Sequence, residues 1–166
     1  KNMTKVYFAA PLFSQADFNY NASLVAEIRK TYPNIDVFLP QEQGEINDKD
    51  KYADSKMIAQ WDAQAVAESD ILIALLDGVS IDAGVASEVG IAYQAGTPIL
   101  GLFTDSRQQG ANNPDKIKAL SQVGESQFAY INLFTVGLIK LRGQVLSHPD
   151  DLIKALGDII EGLAND

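Results

Sequence analysis

The chain lacks the residues on which much protein chemistry depends. Its 166 residues include no cysteine and a single histidine, His148. Disulfides, thiolate zinc sites and cysteine nucleophiles are therefore excluded, and a histidine metal site or a Ser/His/Asp triad is very hard to build. We expect no metal and no cofactor, which leaves carboxylates as the groups that would carry any catalysis.

Positive charge and long apolar runs are also scarce. The chain has 13 Lys and Arg against 22 Asp and Glu, a net charge of −9. Such an acidic protein repels phosphate backbones, so no nucleic-acid partner is expected. No apolar run reaches the roughly 20 residues that span a membrane. Residues 6–12 are too short for a signal peptide and indicate a strand. We therefore expect no membrane association and a cytoplasmic location.

Short apolar runs alternate with longer stretches of helical periodicity along the whole chain. Its length and its hydrophobic content of 46% are typical of a single domain, residues 1–166. The pattern predicts strands at 5–10, 35–39, 71–76 and 99–103, and helices at 15–31, 51–68, 83–95, 114–123 and 149–163. A fifth strand is expected somewhere within 128–146, and Ser147 with Asp150 resembles a capping box for the last helix.

This alternation predicts an α/β fold: a flavodoxin-like, doubly wound, parallel five-stranded sheet with helices on both faces. Ligands of such sheets bind beyond the carboxyl ends of the strands. Residues 9–13, 40–43, 77–82 and 104–107 should therefore meet at one edge of the sheet. That edge is where the sequence directs the search for a site.

Glu88 is the only charged residue between Asp82 and Asp105. Its helical neighbours three and four positions away are small or apolar, so its carboxylate should face the core, where losing water is costly. Two interpretations remain open: a structural carboxylate satisfied by a tyrosine or by backbone donors, or a catalytic group.

Other residues near this edge have ordinary structural interpretations as well as functional ones. Tyr7 lies within the first strand and could be a core tyrosine or a partner of Glu88. Asp82 suits the N-cap of the helix at 83–95. Asp77 suits a turn, and Asp62 suits a solvated helix face. Their expected convergence with Glu88 favours a functional interpretation.

Two glycines, Gly84 and Gly90, lie on the same helix as Glu88. Glycine within a helix costs up to about 1 kcal/mol relative to alanine. A ligand or another chain could approach closely at these positions, or the helix could pack tightly on the sheet, which we expect for Gly90. The glycine-rich patterns of dinucleotide-binding and P-loop proteins are missing from the sequence.

Six stretches of the sequence together resemble the nucleoside 2-deoxyribosyltransferases of lactic acid bacteria, in particular their purine-preferring type I enzymes. These stretches are VYFAAPLFSQADFNYN, LPQE, YADSKMIAQWD, LLDGVSIDAGVASEVGIAY, LFTDSRQQG and INLFTVGLIKL. The most specific part is the DxGxxxE pattern that runs from Asp82 to Glu88.

The resemblance implies catalytic roles for four residues. Glu88 matches the family's nucleophile, and Tyr7 matches the tyrosine that orients it. Asp62 and Asp82 match aspartates that contact the base and help to protonate the leaving base. The implied reaction moves 2-deoxyribose between purines through a covalent intermediate on the glutamate.

The resemblance also implies a substrate pocket shared between subunits. Asn132, with Phe134 beside it, matches an asparagine that reaches a neighbouring subunit's sugar, so we expect a homohexamer. Three consecutive residues, Gln41, Glu42 and Gln43, fall in the loop that lines the base pocket. Ala10, Phe13 and Asp77 are expected to contact substrate from the same edge of the sheet. The implied partners are deoxyribonucleosides and free purine bases.

Two other functions compete with this interpretation. A deoxynucleoside monophosphate N-glycosidase would share the fold and the carboxylate, but it needs a 5′-phosphate site, and the sequence shows no clear cluster of Ser, Gly and Arg that makes one. A receiver-like binding module would need an acidic pair after the first strand, where this chain has Ala9-Ala10-Pro11.

Overall fold

The structure is a computed structural model, and it describes residues 3–44, 52–109 and 112–166. Five strands form one parallel sheet in the order β2-β1-β3-β4-β5. The strands are β1 (Lys5–Ala9), β2 (Asp36–Phe38), β3 (Ile71–Leu75), β4 (Ile99–Leu102) and β5 (Gly143–Leu146). This order is that of flavodoxin-like sheets, so the predicted fold class is confirmed.

Six α-helices accompany the strands within the described ranges. They are α1 (Gln15–Thr31), α2 (Ser55–Ala67), α3 (Ala83–Gln94), α4 (Pro114–Leu120), α5 (Leu133–Arg142) and α6 (Pro149–Ala164). Two short 3-10 helices, Pro40–Glu42 and Ser106–Gln109, lie in segments for which no strand or helix was predicted. None of the described helices combines the length and the apolar character that crossing a bilayer requires.

The core has two halves, one on each face of the sheet. Alternate strand residues point to opposite faces, so Val6 and Phe8 pack with α1 and α6, whereas Tyr7 packs with α2, α3 and α5. Every residue of β3 is buried, as expected for a central strand covered on both faces. Tyr7 therefore faces the helix that carries Glu88.

The predicted elements are mostly present, and their ends differ by a few residues. Helix α5 immediately before β5 was missing from the predictions, which placed only a strand somewhere in 128–146. The predicted helix at 51–68 begins at Ser55 in the described residues, and residues 45–51 lie outside them. Residues 110 and 111 also lie outside them.

Capping residues fix the beginnings of the first and last helices. The predicted Ser147–Asp150 box is wrong, because Pro149 occupies the first turn of α6 and His148 is its N-cap without a side-chain bond. A complete capping box occurs instead at α1, where Ser14 accepts from the Asp17 amide and the Asp17 carboxylate accepts from the Ser14 amide.

Candidate active site

A pocket of about 640 Å³ opens at the carboxyl ends of the strands. β1 pairs with β2 on one side and with β3 on the other, so the direction in which successive strands are added to the sheet reverses at β1. Folds of this kind bind ligands at such a reversal. Its volume lies within the range of roughly 300–1,000 Å³ that is common for small-molecule sites. The residues that line it are Tyr7, Ala10, Leu12, Phe13, Phe18, Phe38, Pro40, Gln41, Ile58, Asp62, Asp82, Gly84 and Glu88.

Helix α3 carries Glu88 to the pocket. Asp82 is its N-cap, as predicted: the carboxylate accepts from the Val85 amide at 3.1 Å. The buried face of α3 consists of Val85, Val89 and Ala92. Glu88 itself is half-buried and faces the pocket, so it is less enclosed by the core than its neighbours in sequence suggested.

The Tyr7 hydroxyl is hydrogen-bonded to the Glu88 carboxyl. Only 1% of Tyr7 is exposed, and its ring stacks on Phe38 with centroids 5.2 Å apart. Burial and the adjacent carboxyl hold the pKa of the Tyr7 hydroxyl far above its usual value, so it remains a donor. The Tyr7 hydroxyl therefore lies against a Glu88 carboxyl that also faces the pocket.

Three carboxyl groups share this pocket: Glu88, Asp62 and Asp82. Burial raises the pKa of Glu88 to about 7; the Tyr7 hydrogen bond opposes this rise, and the negative charges of Asp62 and Asp82 add to it. Burial also raises the pKa of Asp62. The pocket therefore brings together two carboxyl groups with raised pKa values, an arrangement that suits a nucleophile and an acid.

Three of the predicted base-pocket and substrate residues lie elsewhere. The Glu42 carboxylate forms a bidentate ion pair with the Arg29 guanidinium, with N–O distances of 2.8 and 2.9 Å. Gln43 lines a separate surface depression beside Trp61. Asp77 accepts from the amide and the hydroxyl of Thr104. The 3-10 turn at Pro40–Glu42 explains why Glu42 and Gln43 lie outside the pocket, because it points successive side chains in different directions.

Asn132 and Phe134 lie at the start of α5, away from the pocket of their own chain. Asn132 is the N-cap of α5, since its side-chain oxygen accepts from the Thr135 amide at 3.0 Å. Phe134 is 76% exposed. Their implied role at a neighbouring subunit's site remains a prediction.

Several lining residues were not among the predicted site residues. Ile58 lies one helical turn before Asp62 on α2, and this spacing places both on one face, a signal that was available in the sequence. Phe38 is the last residue of β2 and could have been found from its position at the sheet edge. Phe18 enters from α1, and nothing in its sequence context distinguishes it from a core residue.

Among the described residues, no group of three or more histidine and acidic side chains is arranged to hold a metal ion.

The two glycines of α3 differ in the space around them. The expected tight packing of Gly90 on the sheet is wrong, because a Cβ atom there would have no neighbouring atom within 4 Å. A Cβ atom on Gly84 would lie 3.1 Å from the Asp82 carboxylate.

The family model of nucleoside 2-deoxyribosyltransferases matches residues 6–133, which include Tyr7, Asp62, Asp82 and Glu88. The chain belongs to this family. Members of the nucleoside 2-deoxyribosyltransferase family are enzymes that transfer glycosyl groups of nucleosides, so an enzyme of this general kind is confirmed. Comparison with curated proteins gives no significant sequence match.

Solved structures resemble the chain over nearly its whole length. A conserved protein from Enterococcus faecalis V583 is 58% identical, with a TM-score of 0.89, and the match covers 95% of this chain and 99% of that one. A 2-deoxyribosyltransferase from Bacillus psychrosaccharolyticus is 15% identical, with a TM-score of 0.61 and 90% of each chain covered. A CMP N-glycosidase from Clostridium botulinum is 16% identical, with a TM-score of 0.50, covering 93% and 98%. The last two likenesses concern the fold alone.

Proposed function

We propose that this protein transfers 2-deoxyribose between nucleobases, preferably purines, through a covalent deoxyribosyl ester on Glu88. The observation that carries the proposal is the Glu88 carboxyl itself. It faces a pocket of about 640 Å³, is hydrogen-bonded to Tyr7 and has a pKa of about 7. Carboxylates that attack a sugar's anomeric carbon are established nucleophiles in glycosyl transfer.

The reaction consists of two displacements at C1′. In the first, a Glu88 oxygen bonds to C1′ while the bond from C1′ to the base nitrogen breaks, and the base takes that electron pair and one proton from an acid. In the second, a nitrogen of the incoming base attacks C1′, Glu88 leaves as a carboxylate, and the base returns a proton to the acid. The configuration at C1′ is retained, and kinetics are ping-pong.

Asp62 is the better candidate for that acid. Burial raises its pKa, which favours the protonated form. Asp82 already accepts from the Val85 amide as the N-cap of α3, so part of its carboxyl is engaged in holding the helix. The proposed division of roles therefore has Asp62 deliver the proton and Asp82 hold the helix and contact the base.

The charge of the pocket favours a nucleoside over a nucleotide. The described residues that line it include three carboxyl groups and no lysine or arginine. The Asp17 carboxylate also accepts from the amides of Phe13 and Ser14 at the start of α1. A 5′-phosphate would therefore meet negative charge where a hydrolase of nucleotides needs donors.

Exposed apolar side chains, one at the pocket and others at the start of α5, support a shared site in a homo-oligomer, which we propose to be a hexamer. Phe13 lines the pocket and is 74% exposed. At the start of α5, Tyr130, Leu133 and Phe134 are each more than 70% exposed. Clustered exposed apolar side chains mark interaction surfaces, and a neighbouring subunit that covers the pocket would keep water from the ester.

Intact-protein mass spectrometry tests this function. Incubation with deoxyinosine and no acceptor base should add the mass of one deoxyribosyl group, which fragmentation places on Glu88, and adding adenine should remove it. Glu88→Ala should lower the rate of transfer by roughly 10³-fold or more. Glu161→Gln, a change of an exposed glutamate on α6, is the matched control and should retain full activity.

Two results would reject the proposal. Full activity in Glu88→Ala would remove the nucleophile. Cleavage of a deoxynucleoside monophosphate by water, without transfer from deoxyinosine to adenine, would favour an N-glycosidase instead.

A further inference from the structure

The side chain of Asn21 is a buried amide that the proposed reaction does not use. It lies on α1 and is 2% exposed. Its Nδ2 donates to the carbonyl oxygen of Pro11 at 2.8 Å and to Oε1 of Gln41 at 3.1 Å. Gln41 lines the pocket, so Asn21 connects the interior of the protein to a group that can meet the ligand.

Backbone carbonyls at both ends fix the orientation of these two amides. A carbonyl only accepts, so the oxygen of Pro11 requires the NH₂ end of Asn21. The second N–H of Asn21 then requires the oxygen of Gln41. The Nε2 of Gln41 in turn donates to the carbonyl of Phe18 at 3.0 Å. Turning either amide over would place two donors or two acceptors face to face.

The chain of bonds leaves Gln41 with a defined set of free hydrogen-bonding sites. One N–H of its Nε2 is used by Phe18 and one lone pair of its Oε1 by Asn21. One N–H and one lone pair remain for a ligand. A side-chain amide with both free matches the edge of a 6-aminopurine, which offers an N6–H donor and an N7 acceptor, better than a 6-oxopurine, which offers two acceptors.

We propose that Asn21 is a positioning residue that holds the Gln41 amide in one orientation, so that the pocket discriminates 6-aminopurines from 6-oxopurines. This inference rests on the proposed function for its substrate class. Asn21 touches no ligand itself and acts through Gln41. Without Asn21, only the Phe18 carbonyl holds the Gln41 amide, so the turned-over orientation costs less free energy and the preference for a donor beside an acceptor weakens.

Equilibrium binding of free adenine and hypoxanthine tests the inference without any turnover. In Asn21→Ala, affinity for adenine should fall about ten-fold, while affinity for hypoxanthine changes much less, because an amide in either orientation supplies its N–H. In a Gln41→Ala background, Asn21→Ala should change the ratio no further. If alanine prevents folding, Asn21→Ser, which keeps one donor, should give a smaller shift in the same direction.

Val25→Ala is the matched control for general damage to α1. Val25 lies one turn after Asn21 and is fully buried, yet it has no part in the Gln41 bonds, so the adenine-to-hypoxanthine ratio should stay unchanged. Equal weakening of both purines in Asn21→Ala, or a further shift in the Gln41→Ala background, would overturn the inference. An enzyme that shows the predicted ratios but no transfer would reject the proposed function and leave this inference intact.

Discussion

At the scale of single residues, the carboxyl of Glu88 combines partial burial with two acidic neighbours. Both raise its pKa, and the Tyr7 hydrogen bond counteracts them, with the result that the group titrates at about 7. Burial also raises the pKa of Asp62, whose negative charge is one of the two that raise the pKa of Glu88. The proposed reaction needs Glu88 as a carboxylate and one proton on Asp62.

We predict a bell-shaped dependence of kcat/KM on pH. Activity should fall as pH drops below about 7, where Glu88 becomes protonated, and should fall again at higher pH, where the pocket has lost the proton that Asp62 must deliver. In Asp62→Asn, the loss of a neighbouring charge lowers the pKa of Glu88. The slower residual reaction should then rise with pH to a plateau, because it needs only the Glu88 carboxylate.

Pre-steady-state and steady-state rates across this pH range provide the measurement. A wild-type rate that climbs through pH 7 without a later fall would contradict the need for a shared proton. It would show that ionised Glu88 suffices and that the base leaves without help from Asp62.

Some of these residues could be found from the sequence and others could not. The sequence drew attention to Glu88, because a lone charge in an apolar helix is costly, and to Tyr7, because a strand tyrosine needs a partner. It left a structural interpretation open for both, and only the resemblance assigned them roles. Glu42 could not be placed, since its ion pair with Arg29 depends on how the 3-10 turn orients three consecutive polar side chains. The Asp77–Thr104 bonds depend on the pairing of β3 with β4, which sequence periodicity does not encode.

At the scale of elements, the first turn of α3 depends on Asp82 for both structure and charge. Its carboxylate caps the helix through the Val85 amide and also raises the pKa of Glu88. These two contributions can be separated, because asparagine keeps an oxygen acceptor while losing the charge.

Asp82→Asn should leave the free energy of unfolding nearly unchanged, whereas Asp82→Ala should lower it by about 1 kcal/mol. Both substitutions should lower the pKa of Glu88, because each removes a nearby negative charge. Urea denaturation and pH–rate profiles of the two variants measure the two effects. An equal loss of stability in both would show that the charge, and not the cap, stabilises the helix.

The contact between α1 and α6 depends on a glycine. Tyr32, at the end of α1, donates its hydroxyl to the Ile153 carbonyl and lies over Gly157, where a Cβ atom would collide with the tyrosine hydroxyl. Gly157→Ala should therefore cost about 1–3 kcal/mol of stability. In the same helix, Gly162 has open space, and Gly162→Ala should be neutral or stabilising by up to about 1 kcal/mol. Similar thermal unfolding temperatures for both variants would show that the Tyr32 side chain moves aside without loss of stability.

At the scale of the whole molecule, the proposed sharing of sites between subunits makes a distinctive prediction. Asn132→Ala and Glu88→Ala should each be nearly inactive alone. Oligomers that contain both chains should recover part of the activity, because some sites then receive an intact Glu88 from one chain and an intact Asn132 from its neighbour.

Co-expression with two different affinity tags allows mixed oligomers to be purified and assayed. Mixed oligomers without activity would show that each chain carries a complete site. A monomer in light-scattering measurements of the wild-type protein would exclude the oligomer directly.

The first two thirds of the fold could be predicted from the sequence more fully than the last third. Strands β1 to β4 are separated by helices with clear periodicity, so alternation alone indicated a parallel sheet. Helix α5 was missed because its exposed positions include Leu133, Phe134 and Leu141, which blur the polar face that marks a helix. If the proposed oligomer forms, those apolar side chains contact a neighbouring subunit. The hydrophobic pattern of a single chain does not reveal such a contact.

The position of β1 between β2 and β3 has a consequence for how the chain folds. It precedes the other four strands of the sheet in the sequence, yet each of its partners lies beyond a helical crossover, with β3 more than sixty residues away in register. Closing such long loops before any pairing is rewarded makes folding slow and exposes β1 meanwhile. We expect refolding far slower than helix formation, limited by the docking of β3 against β1. Val6 and Phe8 would remain the segment most prone to aggregation until that docking is complete.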